Sequence, residues 1–128
     1  MSKQDWVTSW TRVDKPWGYE DHFALAEGLY CGKILFVKAG HALSLQLHER
    51  KDETISVQDG HIVLEIGTAE DDLERFDLLP RESVRIAPRT IHRISAVTDS
   101  CVLEGSTTQL DDVIRLADRY GRASAGIR

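Results

Sequence analysis

Residues 43–66 read Leu43-Ser44-Leu45-Gln46-Leu47-His48-Glu49-Arg50-Lys51-Asp52-Glu53-Thr54-Ile55-Ser56-Val57-Gln58-Asp59-Gly60-His61-Ile62-Val63-Leu64-Glu65-Ile66. Apolar and polar side chains alternate here in successive runs, and a period of two marks strands, because neighbouring side chains on a strand point to opposite faces. Asp59-Gly60, set between two β-branched runs, has the chemistry of a tight hairpin turn with positive φ. Runs of the same kind recur along the chain and predict nine strands, at 18–25, 30–37, 43–48, 53–58, 61–66, 74–78, 83–86, 92–97 and 101–106. The fold class is therefore all-β, a barrel or sandwich.

Within the same stretch the polar residues raise a chemical question. If Leu43, Leu45 and Leu47 point one way, then Ser44, Gln46 and His48 point the other. Glu53 shares parity with Ile55 and Val57, which places its carboxylate on an inward face, where it needs a charge partner or a metal. Gln46 and His48, two residues apart, would project to the same side. The three leucines would then face outward and need a cover, either an N-terminal arm or a second copy of the chain, so a two-fold homodimer is expected.

The chain has 128 residues and a net charge of -5, with an isoelectric point near 5.5. Acidic and basic residues are interspersed, so there is no nucleic-acid or anionic-membrane surface, and no apolar run approaches a membrane span. Cys31 and Cys101 sit in separate apolar runs and match no zinc or redox spacing, which fits buried thiols in a reducing compartment. A soluble, cytoplasmic protein with a small-molecule partner is expected. One domain spans 1–128: an N-terminal arm at 1–17 anchored by Trp6, Trp10 and Trp17, a barrel at 18–106, and a helix at 108–120 packed outside. The helix is predicted from Leu110, Val113, Ile114 and Ala117 at helical spacing, with Thr108 and Asp111 as a capping box and Gly121 just past the end. His22, His41 and His61 are read as ordinary surface or packing histidines.

Two motifs carry a resemblance. Gly40, five residues, Gln46-x-His48, four residues, Glu53, six residues, Gly60 has the spacing of the first cupin motif, with Gln46 in place of its first histidine. Arg81 to Arg93, RESVRIAPRTIHR, lines up with the second, ending on His92, with Arg81 and Arg89 at positions where glycines are usual and Ala87 at the proline. More closely, the chain resembles the C-terminal cupin domain of type II phosphomannose isomerases and their stand-alone relatives, through Lys15-Pro16-Trp17-Gly18-Tyr19-Glu20, LSLQLHERKDE, IHR, Val102-Leu103-Glu104 and DDVIRLADRYGR. It departs at Lys51, where that family usually has an arginine implicated in catalysis, and at Thr54, where a histidine commonly follows the glutamate.

The resemblance implies a double-stranded β-helix, a jelly-roll barrel, holding one divalent ion on Gln46, His48, Glu53 and His92. Imidazole, carboxylate and amide donors suit zinc, iron, manganese, cobalt or nickel and leave positions for substrate oxygens. It also implies aldose-ketose isomerisation of a hexose phosphate through an enediol, with Lys51 and Glu104 as the candidate catalytic groups. Arg81, Arg85, Arg89 and Arg93 share a parity on a largely solvated face, and Arg85 and Arg93 are the candidates to bind a substrate phosphate or carboxylate. Two other functions fit the same ligands: a non-catalytic sugar or small-acid binding module, and, less well because Gln46 replaces a histidine, an iron dioxygenase.

Overall fold

The computed structural model describes residues 1–123, so the last five residues of the expected domain lie outside the described residues. After a single helical turn, α1 (Lys3–Trp6), the chain forms eleven strands: β1 (Thr11–Lys15), β2 (Gly18–Ala26), β3 (Tyr30–Val37), β4 (Leu45–Leu47), β5 (Glu53–Asp59), β6 (Ile62–Gly67), β7 (Leu73–Leu78), β8 (Ser83–Ile86), β9 (Ile91–Ala96), β10 (Ser100–Ser106) and β11 (Ile114–Ala117). They build two antiparallel sheets, ordered β1-β2-β3-β10-β5-β8 and β11-β4-β9-β6-β7. All nine expected strands are present, and no helix in the described residues is long and apolar enough to cross a membrane.

The main core lies between the sheets. Leu35, Val37, Ile55, Val57 and Val102 enter it from the first sheet, and Ile62, Leu64, Ile94 and Ala96 from the second. Alternation along β5 explains its share of this packing, whereas β6 buries Ile62, Val63 and Leu64 in succession and sends Ile62 and Leu64 into this core. It also corrects the expected hairpin: β5 and β6 do not pair, but belong to opposite sheets, with β5 between β10 and β8 and β6 between β9 and β7. Asp59-Gly60 turns the chain across the barrel wall instead. Gly60 has φ +96°, and a Cβ there would come within 2.4 Å of Ser100 Oγ and 2.5 Å of the Asp99 carbonyl oxygen, so no larger residue fits the turn.

Both chain ends depart from expectation. The segment expected as a C-terminal helix contains strand β11, which pairs Ile114 with Leu47 and Arg115 with Gln46. Its pattern serves a strand equally well, since Ile114 and Leu116 are two apart, and the unpaired edge of β4 supplies a partner that local spacing cannot reveal. The leucine stripe is thereby covered from within the chain. Leu45 packs against Ile91 and Leu116, with Leu47, Leu73, Ile114 and Ala117 around them, while Leu43 precedes β4 and turns into the main core. Neither the arm nor a second copy is needed there. Part of the arm is itself a strand, β1, paired with β2. Of its tryptophans only Trp17 is buried, at 2% exposure, while Trp6 and Trp10 are 71% and 60% exposed.

The left-handed turns around β8 are kept despite the missing glycines. Arg81 and Arg89 adopt φ of +74° and +64°, held by hydrogen bonds from Arg81 N to the Val57 carbonyl at 2.8 Å and from Arg89 N to the His48 carbonyl at 2.6 Å.

Candidate functional site

Polar residues on inward parity converge at one end of the space between the sheets. Gln46 on β4 and His92 on β9 face each other across paired strands of the second sheet, His48 lies just beyond β4, and Glu53 opens β5 on the first sheet. Glu104 and Lys33 are opposite one another on β10 and β3, and Lys51 reaches in from the β4–β5 connection. A cavity of about 310 Å³ is lined by all of these, together with Glu20 and His22.

His48, Glu53 and His92 are all buried, and one ligand atom from each lies within 4.8 Å of the others. Hydrogen bonding fixes the tautomers: His48 Nδ1 bonds the Asp112 carbonyl at 2.5 Å and His92 Nδ1 the Thr90 carbonyl at 2.9 Å. A carbonyl can only accept, so each Nδ1 carries the proton, and in the neutral ring each Nε2 presents a lone pair. Both Nε2 atoms are buried with no hydrogen-bond partner, at 3.7 Å and 3.3 Å from Glu53 oxygens. Buried orphan lone pairs aimed at a carboxylate would be repulsive in isolation, and a cation between them removes the conflict. These residues fit a divalent metal ion. Gln46 lines the same cavity, its amide oxygen accepting from Ser44 Oγ at 2.6 Å.

Lys51 lies between two carboxylates, 2.9 Å from Glu53 and 3.0 Å from Glu104. Burial alone would lower its pKa, but the charges of Glu104 and Glu53 outweigh it and hold the ammonium above the usual lysine range. Burial likewise pushes the Glu53 carboxyl up, while the Lys51 ammonium 2.9 Å away pulls it well below the usual carboxylate range. Glu104 also approaches Lys33 at 3.9 Å, and Lys33 approaches Glu20 at 3.4 Å, so charges of alternating sign run across the inner face of the first sheet.

The structure brings together Gln46, His48, Lys51, Glu53, His92 and Glu104. It does not bring Arg85 or Arg93 to the cavity. Arg85 holds Asp52 in a two-pronged pair with contacts at 3.1 Å and 2.5 Å, and Arg93 does the same with Glu65 at 3.0 Å and 3.3 Å. The basic residues that do line the cavity besides Lys33 and Lys51 are Lys15, Arg115 and Arg122.

Three site residues were not singled out from the sequence. Lys33 shares parity with Cys31, Leu35 and Val37, which are buried, so the signal that marked Glu53 was present there too. Glu20, bonded to His22 at 2.8 Å, carried no such signal. Asp112 reads locally as a helix first-turn acid, yet it supports the site from the C-terminal segment.

Residues 2–118 match the family described as mannose-6-phosphate isomerase C-terminal. The chain is 32% identical over 122 residues to the alginate biosynthesis protein AlgA of Pseudomonas putida, covering 90% of this chain and 24% of that one. It is 33% identical over 117 residues to mannose-1-phosphate guanylyltransferase of Escherichia coli, covering 86% and 23%. It thus spans about a quarter of the length of these curated relatives. Among solved structures, the capsular polysaccharide protein CapF with an inhibitor superposes with a TM-score of 0.75 at 17% identity, over 92% of this chain and 37% of that one. KdgF from Halomonas sp. gives 0.64 at 20% identity, over 86% and 94%. Both are likenesses of fold.

Proposed function

The chain belongs to the mannose-6-phosphate isomerase C-terminal family, and on that footing we propose that it is a metal-dependent isomerase interconverting an aldose and a ketose of a hexose phosphate through an enediol. The observation that carries this proposal is the pair of buried, unpartnered Nε2 atoms converging with Glu53, beside the Lys51–Glu104 pair. His48, Glu53, His92 and Gln46 would hold one divalent ion, which when bound polarises the carbonyl and hydroxyl oxygens of the sugar.

Lys51 and Glu104 divide the remaining work. An ammonium kept charged by two carboxylates is a poor base, so Lys51 stabilises the oxyanion that develops as the enediol forms. Glu104, buried within 3.0 Å of that ammonium, is left to carry the proton between adjacent carbons on a carboxylate oxygen. Five basic side chains, Lys15, Lys33, Lys51, Arg115 and Arg122, face four acidic ones, Glu20, Glu53, Glu104 and Asp111, around the cavity. A bound dication adds to that excess, which favours an anionic substrate over a free sugar.

The test is exchange of the carbon-bound proton with deuterated water, followed by NMR over phosphorylated and free hexoses and pentoses with each candidate metal. Exchange and interconversion with a hexose 6-phosphate are expected. Metal-dependent sugar binding by calorimetry without exchange for any sugar would replace the isomerase by a binding module.

A further inference from the structure

We propose that Asp112 is a positioning residue that locks His48 and Lys51 in place and so couples the docking of strand β11 to metal binding. The proposal rests on the metal-site assignment made above. His48 and Lys51 both lie on the connection between β4 and β5, which crosses from one sheet to the other and must hold two of the site's groups without strand pairing of its own.

The C-terminal segment supplies the missing partners. Asp112 Oδ1 accepts the Glu49 N–H at 3.0 Å, and Oδ2 accepts those of Arg50 at 2.7 Å and Lys51 at 2.9 Å. Thr107 Oγ1 accepts the next amide, Asp52 N–H, at 3.0 Å, and Thr107 N donates to the Asp52 carbonyl at 3.0 Å. Four consecutive amides are therefore satisfied from one segment, three of them by a single carboxylate whose charge strengthens each bond.

The same residue also acts through its backbone. The Asp112 carbonyl accepts the His48 Nδ1 proton at 2.5 Å, which fixes the tautomer and aims Nε2 into the cavity. Anchoring the Asp112 side chain on the 49–51 amides is what holds its carbonyl over His48. Two residues later β11 begins and pairs with β4, which carries Gln46. Whatever free energy the docked segment lends to ion binding, ion binding must return to the docking of the segment.

The experiment uses the full chain as wild type, Asp112→Ala and Asp112→Asn, with Co²⁺ titration followed by absorbance and site-resolved amide hydrogen exchange with and without Co²⁺. For Asp112→Ala, Co²⁺ affinity is expected to fall about 10- to 100-fold, the usual cost of losing an outer partner of a ligand, and exchange at Glu49, Arg50 and Lys51 to accelerate at least about tenfold. In the wild type, Co²⁺ should slow exchange across 114–117. Asp112→Asn, which keeps one acceptor oxygen, should fall between the two and carries the test if Asp112→Ala does not fold. A purely structural role would lower the melting temperature yet leave affinity intact well below it. Wild-type Co²⁺ affinity in a folded variant, or unchanged protection at 49–51, overturns the proposal. If the wild type binds no divalent ion, the metal assignment fails, and protection at 49–51 alone decides the role of Asp112.

Discussion

Replacing Lys51 by methionine tests the electrostatics of the site directly. The ammonium bridges Glu53 and Glu104 at 2.9 Å and 3.0 Å, and the three side chains are 4–7% exposed. Lys51→Met keeps the length of the stem but leaves two buried carboxylates facing each other without a cation. Truncating one partner of a buried ionic cluster costs about 3–5 kcal/mol. A chain of 128 residues has an unfolding entropy of about 0.27 kcal/mol/K, which translates that cost into a fall in melting temperature of about 11–19 °C. Circular dichroism melts at neutral pH in chelator should show it. Lys51→Met with Glu104→Gln should recover at least half, because one stranded carboxylate is gone, and a divalent ion should recover part through Glu53. The sign with pH follows: Glu53, with its depressed pKa, contributes stability that is present above its unfolded value near 4.3 and is lost as the wild type is acidified through its folded value. The gap between wild type and variant should therefore narrow below about pH 4.5. A melting temperature within about 3 °C of wild type, or a double variant no better than the single one, would refute the buried-cluster reasoning.

Four further outcomes are expected. Elemental analysis of untagged protein should find one divalent ion per chain, lost from His48→Ala with His92→Ala; retention by the double variant would show that other residues bind it. Glu104→Gln should lower turnover by about a hundredfold or more with little change in KM, the scale for losing general acid-base help, as read by steady-state kinetics. Arg85→Ala and Arg93→Ala should leave kcat/KM within about twofold, since each guanidinium is engaged by an acid outside the cavity; a tenfold loss would return them to the substrate. Arg89→Gly relieves a left-handed residue at φ +64° and, after the entropy glycine adds to the unfolded chain, should stabilise by about 0.5–1 kcal/mol, or about 2–4 °C.

Alternation made the strands legible, and with them the inward parity of Glu53, because both sheets bury one face against a shared core, whereas Glu104 was marked only by the family resemblance. Motif spacing added His92, which no local pattern would have joined to His48. The failures arose where tertiary partners decided the outcome. Ile114 to Ala117 satisfied both a helical and a strand pattern, and only the edge of β4 selects between them. Asp59-Gly60 has the chemistry of a hairpin turn, but the buried faces of Ile55 and Val57 and of Ile62 and Leu64 oppose one another across the core, which requires a crossing between sheets. Arg81 and Arg89 hold left-handed turns through backbone hydrogen bonds that their side-chain chemistry does not advertise. Asp112 could not be recognised because its partners are backbone amides, which look alike at every position.

The place of β10 at the centre of the first sheet, between β3 and β5, governs how this protein is made as well as what it does. Ser100 pairs with Val37 and Ser106 with Cys31, so the sheet cannot close until the chain has been synthesised through Ser106. Pairings this distant cost loop-closure entropy before any contact rewards it, and folds dominated by them reach the native state in about milliseconds to seconds. Until β10 inserts, β3 and β5 expose hydrogen-bonding edges to solvent and to other chains. Glu104 arrives on that late strand, so its carboxylate enters the cavity, beside Lys51 and Glu53, only when the sheet is complete, and an incompletely folded chain lacks the assembled cluster.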